Sequence, residues 1–174
     1  MGHRLSAKVE SEYLGNENWY RLIADEDIYQ YNVKKGDVGG LVQSLDDIEA
    51  GSWIEYGARV YKGATVKGRS LIGNNVVIRA EAVVDTARLS GHIYTWGPTE
   101  INTSDITGDM IVTSSKILNS DLTSEDEYSE VVDSTLQDTR LTGQIQVTDS
   151  ILNELFVTGH VVGTDLEMSN RDNS

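Results

Sequence analysis

The sequence predicts an all-β protein, built as a parallel, left-handed β-helix with an N-terminal β-hairpin cap. Two periodic rows of residues carry this prediction, together with a run of three glycines, Gly51, Gly57 and Gly63. An α-helix has 3.6 residues per turn and does not produce a period of six, whereas a strand repeats every two residues, so six residues form a short strand plus a corner. The first row is aliphatic and recurs every six residues: Ile48, Ile54, Val60, Val66, Ile72, Ile78 and Val84.

The second row lies two residues before each later aliphatic residue and contains only small or β-branched side chains. Such residues fit a crowded corner, and the glycines suit corners that need a positive φ. Three six-residue units would form one coil of a triangular prism. The alternative is a β-sandwich with accidental spacing. The members of the second row are Ser52, Ala58, Ala64, Ser70, Val76 and Ala82.

The expected organisation has five segments. Residues 1–38 form the cap, with strands at 4–10 and 18–24, and residues 39–85 form the regular coils. Residues 86–103 are expected to be an irregular break or loop, because the six-residue spacing stops and Pro98 cannot donate to a sheet ladder. Residues 104–168 are expected to form acidic, less regular coils, followed by a polar tail at 169–174.

The 104–168 segment has a period of five instead of six, as between Ile151 and Phe156. Short motifs also recur at three times that period. The triplet Ser134-Thr135-Leu136, for example, is followed 15 residues later by the similar triplet Asp149-Ser150-Ile151. This pattern resembles degenerate pentapeptide repeats and predicts a continued β-helix with smaller coils.

The charge is strongly acidic and unevenly distributed. The net charge is −14 over 174 residues, and residues 100–174 alone carry 15 acidic and 3 basic side chains, a net −12. An acidic surface repels nucleic acids and membranes and attracts basic surfaces. There is no cysteine, no apolar run long enough for a membrane span and no signal-peptide core. We therefore expect a cytoplasmic protein without a bound metal or cofactor.

Several segments of the N-terminal half resemble one known family. They are Arg4-Leu5-Ser6, Tyr20 to Ala24, Lys35 to Val42 with its Gly-Asp-Val-Gly-Gly core, Trp53-Ile54 and the Ala-x-Val-x-x-Gly coils. Together they resemble the YdcK-type family of phage and enterobacterial proteins over roughly residues 4–85. That family is described as acyltransferases of the hexapeptide-repeat class. The resemblance implies a β-helix and raises acyl-CoA-dependent acyl transfer as one function.

Acyltransferases of this class use a histidine as general base at a subunit interface. His92 lies in the expected break beside Trp96, where such an enzyme would use it, while His160 follows Gly159 and His3 lies at an expected frayed end. Because histidine alternates with glutamine in a common Gly-polar-aliphatic frame, the position also fits an exposed corner. The sequence thus favours a binding protein over an enzyme and keeps His92 catalysis as the alternative.

The acidic half provides the main candidate site. In a β-helix, carboxylates from successive coils can form rows that approximate the charge of a nucleic-acid strand. We expect a non-enzymatic phage-type inhibitor that mimics DNA and docks on a basic nucleic-acid-binding protein of the host, such as a nuclease or CRISPR effector. We do not expect the protein to bind nucleic acid itself. We do expect it to form homo-oligomers. A solvated acidic face, an acyltransferase and a structural phage component are the alternatives. The candidate partner-binding residues are Asp105, Asp109, Asp121, Glu125, Asp126, Glu127, Glu130, Asp133 and Asp138.

Overall fold

The computed structural model describes residues 2–9 and 14–102 continuously, and thereafter a series of strands between 105 and 169. No α-helix occurs in these residues, and a 3₁₀ turn lies at Tyr29–Tyr31. The strands form one ten-stranded and two seven-stranded sheets. All pairings after the N-terminal strands are parallel, so the protein is a parallel β-solenoid, as the sequence predicts.

The N-terminal cap consists of β1 (His3–Lys8) and β2 (Tyr20–Ala24), which pair antiparallel. β3 (Val38–Val42) pairs antiparallel with β2 on one side and parallel with β5 (Arg59–Val60) on the other. β3 thereby joins the hairpin to the first coil. This arrangement confirms the predicted hairpin cap and covers backbone groups that an open sheet edge would leave unpaired.

Each coil contributes one strand to each of three sheets, because paired strands lie three apart in chain order. Sheet 1 continues from β5 through β8 (Val77–Ile78), β11 (Ile93–Trp96), β14 (Met110–Thr113), β17 (Ser129–Val132), β20 (Ile145–Thr148) and β23 (Val161–Thr164). Sheet 2 contains β4 (Trp53–Ile54), β7 (Leu71–Ile72), β10 (Arg88–Ser90), β13 (Asp105–Thr107), β16 (Asp121–Thr123), β19 (Arg140–Thr142) and β22 (Phe156–Thr158). Sheet 3 contains β6 (Thr65–Lys67), β9 (Val83–Asp85), β12 (Glu100–Asn102), β15 (Lys116–Leu118), β18 (Thr135–Gln137), β21 (Ile151–Asn153) and β24 (Glu167–Ser169).

The core is the column of aliphatic side chains that the sequence period predicts. Ile54, Ile72 and Leu89 stack through successive strands of sheet 2 and are almost fully buried. All six members of the small-residue row are also buried. Because an inward position recurs in every strand, the aliphatic row supplies buried apolar surface that stabilises the coils.

Residues 86–102 form a regular coil where the sequence suggested an irregular break. β10, β11 and β12 all pair with the preceding coil. The spacing changes because the chain takes one residue fewer to complete this turn. Trp53 pairs with Leu71, 18 residues further on, whereas Ile72 pairs with Leu89, 17 residues further on. Pro98 lies between β11 and β12, outside the ladders, so its missing N–H removes no strand hydrogen bond.

Thr95 explains why the aliphatic row is interrupted in this coil. The pairing of Tyr94 with Val77 places Thr95 next to Ile78, in the buried column. The Thr95 hydroxyl is satisfied there, because Oγ1 accepts a hydrogen bond from the Arg79 amide at 3.0 Å. A polar residue therefore occupies an inward position without breaking the coil.

The strand register of the C-terminal coils differs by one position from the spacing of the recurring motifs. The motifs align Leu136 with Ile151, but Leu136 pairs with Leu152, and Ile151 pairs with Thr135. The side chain of Ile151 is 45% exposed. A shift of one position moves a side chain to the opposite face of a strand, and two adjacent apolar residues leave that choice open in the sequence.

Candidate functional site

Two of the predicted acidic residues are brought together by the fold. Asp105 in β13 and Asp121 in β16 occupy the same register position in neighbouring strands of sheet 2. Glu130 lies in sheet 1, in register with Ile111 and Gln146, and so belongs to a different face. The other candidates lie outside the described residues: Asp109, Glu125, Asp126, Glu127, Asp133 and Asp138.

Arginines border the acidic pair on both sides. Arg88 of β10 precedes Asp105 in the same row, and Arg140 of β19 follows Asp121. Like charges directly opposite in neighbouring strands are destabilising, and opposite charges are favourable. At this register position of sheet 2 the sequence therefore places an acidic pair between two arginines.

His92 is exposed and lines a groove of about 220 Å³ on sheet 1, which we call the sheet 1 groove. Arg59, Arg79, Tyr61 and Tyr94 line the same groove. The residues come from three successive coils, because Arg59 pairs with Val77 and Val77 pairs with Tyr94. The groove therefore combines aromatic rings with two permanently charged guanidinium groups.

The carboxylates nearest to His92 in sequence do not line this groove. Asp85 ends β9 in sheet 3, where Oδ2 lies 3.4 Å from Nζ of Lys67. Glu100 begins β12 in the same sheet and accepts a hydrogen bond from Nδ2 of Asn102 at 2.7 Å. His160 lies outside the described residues.

His3 is not at a frayed end, contrary to the sequence-based expectation. It lies in β1 opposite Ala24, is only 6% exposed, and its ring centroid is 6.2 Å from that of Trp53. Burial lowers the pKa of His3 below its ordinary value of 6.5, and the backbone of Ser52 offsets part of this effect by hydrogen bonding. The Nε2 atom is buried without a hydrogen-bond partner.

A cavity of about 400 Å³ adjoins His3 beneath the cap. Leu45, Ile48 and Ala50 supply apolar walls, and Asp46 supplies a carboxylate. Sequence reasoning missed this site because its walls come from residues 2–3 and 45–50, which are far apart in the chain. The alternation of polar and apolar residues around Leu5 was the available signal that the segment is a strand.

The described residues contain no cluster of metal ligands, since no three His, Cys, Asp or Glu side chains among them are close enough to hold a metal ion. No helix within the described part of the chain is long and apolar enough to cross a membrane. Neither the models of protein families nor the curated proteins contain a match to this chain. Its class is thus defined by its architecture, a parallel β-solenoid with an antiparallel cap.

Proposed function

We propose that this chain is a non-enzymatic binding protein of the phage type, acting in the host cytoplasm. In this proposal the acidic C-terminal half docks on the basic surface of a nucleic-acid-binding protein and inhibits it, as a DNA mimic would. A defence nuclease, such as a CRISPR effector, is a partner of the required charge. The observation that carries the proposal is the alignment of Asp105 with Asp121 within a half of net charge −12.

The physical argument is one of rigidity and charge density. Neighbouring strands of a sheet lie about 4.8 Å apart, so the backbone positions of residues in register are held at a fixed spacing and lose little freedom on binding. Duplex DNA carries one charge per about 1.7 Å of axis, so a single row reproduces only part of its charge density. Additional acidic residues of the same half are required for a complete contact.

The arginines beside the pair define the competing explanation, in which Arg88 and Arg140 neutralise Asp105 and Asp121 and the row serves stability alone. The two explanations differ in what charge reversal does. If the pair binds a partner, reversal abolishes capture in a folded protein. If the pair is structural, reversal lowers stability and leaves capture unchanged.

The experiment is a pull-down of the tagged protein from a bacterial lysate at about 0.05 M and about 0.5 M salt, since exposed charge contacts weaken with ionic strength. We expect a nucleic-acid-binding protein to be captured at low salt and released at high salt. The variant carries Asp105→Lys and Asp121→Lys, and the matched control carries Glu17→Lys and Glu81→Lys. Equal capture by both double variants contradicts the proposal.

The alternative function is acyl transfer with His92 as general base, and the groove that His92 shares with two arginines favours it. The imidazole would take the proton of an acceptor hydroxyl or amine as that atom attacks the thioester carbonyl and the CoA thiolate leaves. Release of free thiol from acetyl-CoA in the presence of candidate acceptors tests this function. Activity that persists in His92→Ala contradicts it.

A further inference from the structure

The cavity beside His3, which we call the cap cavity, lies between the start of β1 and the segment that connects β3 to β4. Its described walls are residues 2–3 and residues from 45–50. A Cβ atom added to Gly2 would lie 3.0 Å from the Cβ atom of Ala50, so the two segments lie against each other at one side of the cavity. The volume of about 400 Å³ falls within the range of about 300–1,000 Å³ that is usual for small-molecule sites.

The cap cavity has apolar walls on a fixed part of the backbone. Leu45 and Ile48 are half-buried and pack against the hydrophobic core. Ile48 forms a parallel bridge to Val66, which holds this segment against the next coil. Because apolar side chains at the surface are in contact with water, covering them with an apolar molecule is favourable. The walls therefore suit a ligand with an apolar body.

Two carboxylates adjoin these walls. Asp46 lines the cap cavity and accepts a hydrogen bond from Oγ of Ser44 at 2.9 Å. Glu26 is close to the opposite segment, because a Cβ atom added to Gly2 would lie 3.1 Å from its Oε1 atom. The amide of Asp25 donates to the carbonyl oxygen of Gly2 at 3.0 Å and keeps this turn beside the cavity. An acidic group therefore lies at each of the two segments that form the walls.

Neither of these carboxylates forms an ion pair with a described residue. The neighbouring Asp25 does, since its Oδ1 lies 2.7 Å from Nη1 of Arg4. Asp46 and Glu26 are both exposed, and no described lining residue carries a permanent positive charge. Charges of one sign beside apolar walls of low dielectric constant concentrate the electric field in a cleft. The cap cavity therefore attracts cations.

His3 forms a further wall and adds no competing charge at neutral pH. Burial lowers its pKa below the ordinary value of 6.5, so the imidazole is neutral there. The backbone of Ser52 takes a hydrogen bond from the ring, and the remaining nitrogen, Nε2, has no partner. In a neutral imidazole the nitrogen without a proton is an acceptor. The polar side chains around the cavity thus offer acceptors for a donor.

We propose that the cap cavity binds a small organic amine, with a primary ammonium group on an apolar body of one ring. An ammonium group has three N–H donors and no acceptor, which matches a site of carboxylates. It would pair with Asp46 and Glu26, while the ring would pack on Leu45 and Ile48. The carboxylates repel an anion, and a neutral alcohol lacks the charge-assisted hydrogen bonds of the amine.

This inference does not depend on the docking proposed for the acidic C-terminal half, because every residue that carries it lies in the first 50 positions. The two also fail separately. A pull-down that captures no partner leaves amine binding in the cap cavity unchanged, and loss of amine binding leaves partner capture unchanged.

The test is an NMR titration of the ¹⁵N-labelled full chain at about 0.15 M salt and about pH 7.5, where alkyl amines are protonated. The probes are phenethylamine, 2-phenylethanol and methylamine. The first two share the ring and differ in the charge, and the third carries the charge without the ring. We expect saturable shifts of the amides of residues 2–3 and 45–50 with phenethylamine. Both other probes are expected to bind at least about tenfold more weakly.

Asp46→Asn is expected to weaken the binding of phenethylamine about tenfold, because it removes the charge and keeps the shape. The matched control is Asp47→Asn, which removes the same charge one position further along the chain. Asp47 is not among the described lining residues, and its loss is expected to weaken binding by less than about threefold. The amide spectra of both variants verify that they are folded, and the three probes test the native chain without any substitution.

Several outcomes would overturn the proposal. Equal weakening by Asp46→Asn and Asp47→Asn would show that net charge explains the affinity. Equal affinity for phenethylamine and 2-phenylethanol would remove the role of the ammonium group, and equal affinity for methylamine would remove that of the ring. Shifts confined to other parts of the chain, or no saturation by phenethylamine below about 10 mM, would show that the cap cavity is not the site.

Discussion

Arg21 of the cap lies over the ring of Tyr56 in the first coil, with its guanidinium carbon 3.8 Å from the ring centroid. The same side chain donates hydrogen bonds from Nη1 to the carbonyl oxygen of Tyr56 at 2.6 Å and to that of Gly39 at 3.2 Å. One residue of β2 thus connects the antiparallel hairpin to the parallel coils by a cation–π contact and by charged hydrogen bonds.

Replacing Arg21 by alanine is expected to destabilise the cap. The loss of a charged hydrogen bond and of the cation–π contact corresponds to about 2 kcal/mol of unfolding free energy. Urea denaturation measures the global effect, and hydrogen exchange of the β1 and β2 amides measures local opening. Lys62→Ala, at an exposed position of the coils, is the control. Unchanged exchange of the hairpin amides in Arg21→Ala would show that Arg21 does not fasten the cap.

Gly40 of β3 is expected to tolerate no side chain. A Cβ atom built at this position would lie 2.6 Å from the carbonyl oxygen of Glu55 and 2.7 Å from that of Ala58, both backbone atoms. Relief of these contacts requires movement of β3 against the first coil, so Gly40→Ala is expected to cost about 3 kcal/mol or more. This close approach also gives a physical reason for the paired glycines of the Gly-Asp-Val-Gly-Gly segment.

Gly63→Ala is the matched control for this substitution. A Cβ atom added at Gly63 would have the Cβ of Ala80 as its nearest neighbour, at 3.9 Å. The loss of stability in Gly63→Ala therefore arises from the φ of +86° alone. A left-handed conformation costs a non-glycine residue about 1–2 kcal/mol. Thermal unfolding of the two variants compares steric overlap with backbone strain, and a smaller loss for Gly40→Ala than for Gly63→Ala contradicts the prediction.

The coils could be predicted from the sequence because inward positions repeat. Ile54, Val60 and Val66 each fill the same kind of site in successive strands, so one physical demand recurs every six residues. Where the demand changes, the prediction fails. Thr95 satisfies its hydroxyl inside the column, so the aliphatic pattern does not reveal the shorter coil at 86–102. Ile151 and Leu152 are both apolar, so the sequence does not show which of them pairs with Leu136.

The sheet 1 groove could not be recognised before the coil length was known. Arg59, Arg79 and His92 are widely separated in the sequence and meet only because successive coils stack. The stacking of β8 on β5 places Arg79 directly beside Tyr61. The relation to YdcK-type proteins and the docking of the acidic half on a partner stay predictions, since both depend on properties beyond the geometry of the coils.

Ser70 is expected to matter more than its size suggests, because it connects three coils at a buried corner. Its amide donates to Oγ of Ser52 at 3.1 Å, its hydroxyl donates to the carbonyl oxygen of Lys67 at 2.6 Å, and the amide of Ala87 donates to its Oγ at 3.1 Å. Ser70→Ala leaves the buried amide of Ala87 without an acceptor, which costs about 1–3 kcal/mol.

Urea denaturation of Ser70→Ala and Ser90→Ala provides the comparison. Ser90 is exposed and its hydroxyl contacts that of Thr107 at 3.0 Å, so its loss is expected to change the unfolding free energy by less than about 0.5 kcal/mol. Alanine already occupies the equivalent corners at 58 and 64. Equal stability of the two variants would mean that the corner relaxes and that Ala87 finds another acceptor.

His3 is expected to make the stability of the protein depend on pH. Burial lowers its pKa in the folded state, while the hydrogen bond to Ser52 and the carboxylates of Glu26 and Asp25 act in the opposite direction. The unfolded chain therefore binds a proton more readily than the folded one. The stabilising contribution of neutral His3 is complete above the unfolded pKa of 6.5 and decreases as the pH falls below it, until the folded pKa is passed.

The measurement is urea denaturation between pH 8 and pH 5 of the native chain and of His3→Gln, which keeps a polar side chain and removes the titration. The carboxylates titrate in both proteins, so the difference between the two curves isolates the imidazole. We expect that difference to be constant above about pH 7. Below about pH 7 the unfolding free energy of the native chain should fall relative to that of His3→Gln, by at most about 1.4 kcal/mol per pH unit for one proton. Parallel curves over the whole range would show that His3 takes up its proton as readily in the folded chain as in the unfolded one, and that β1 opens enough to hydrate it.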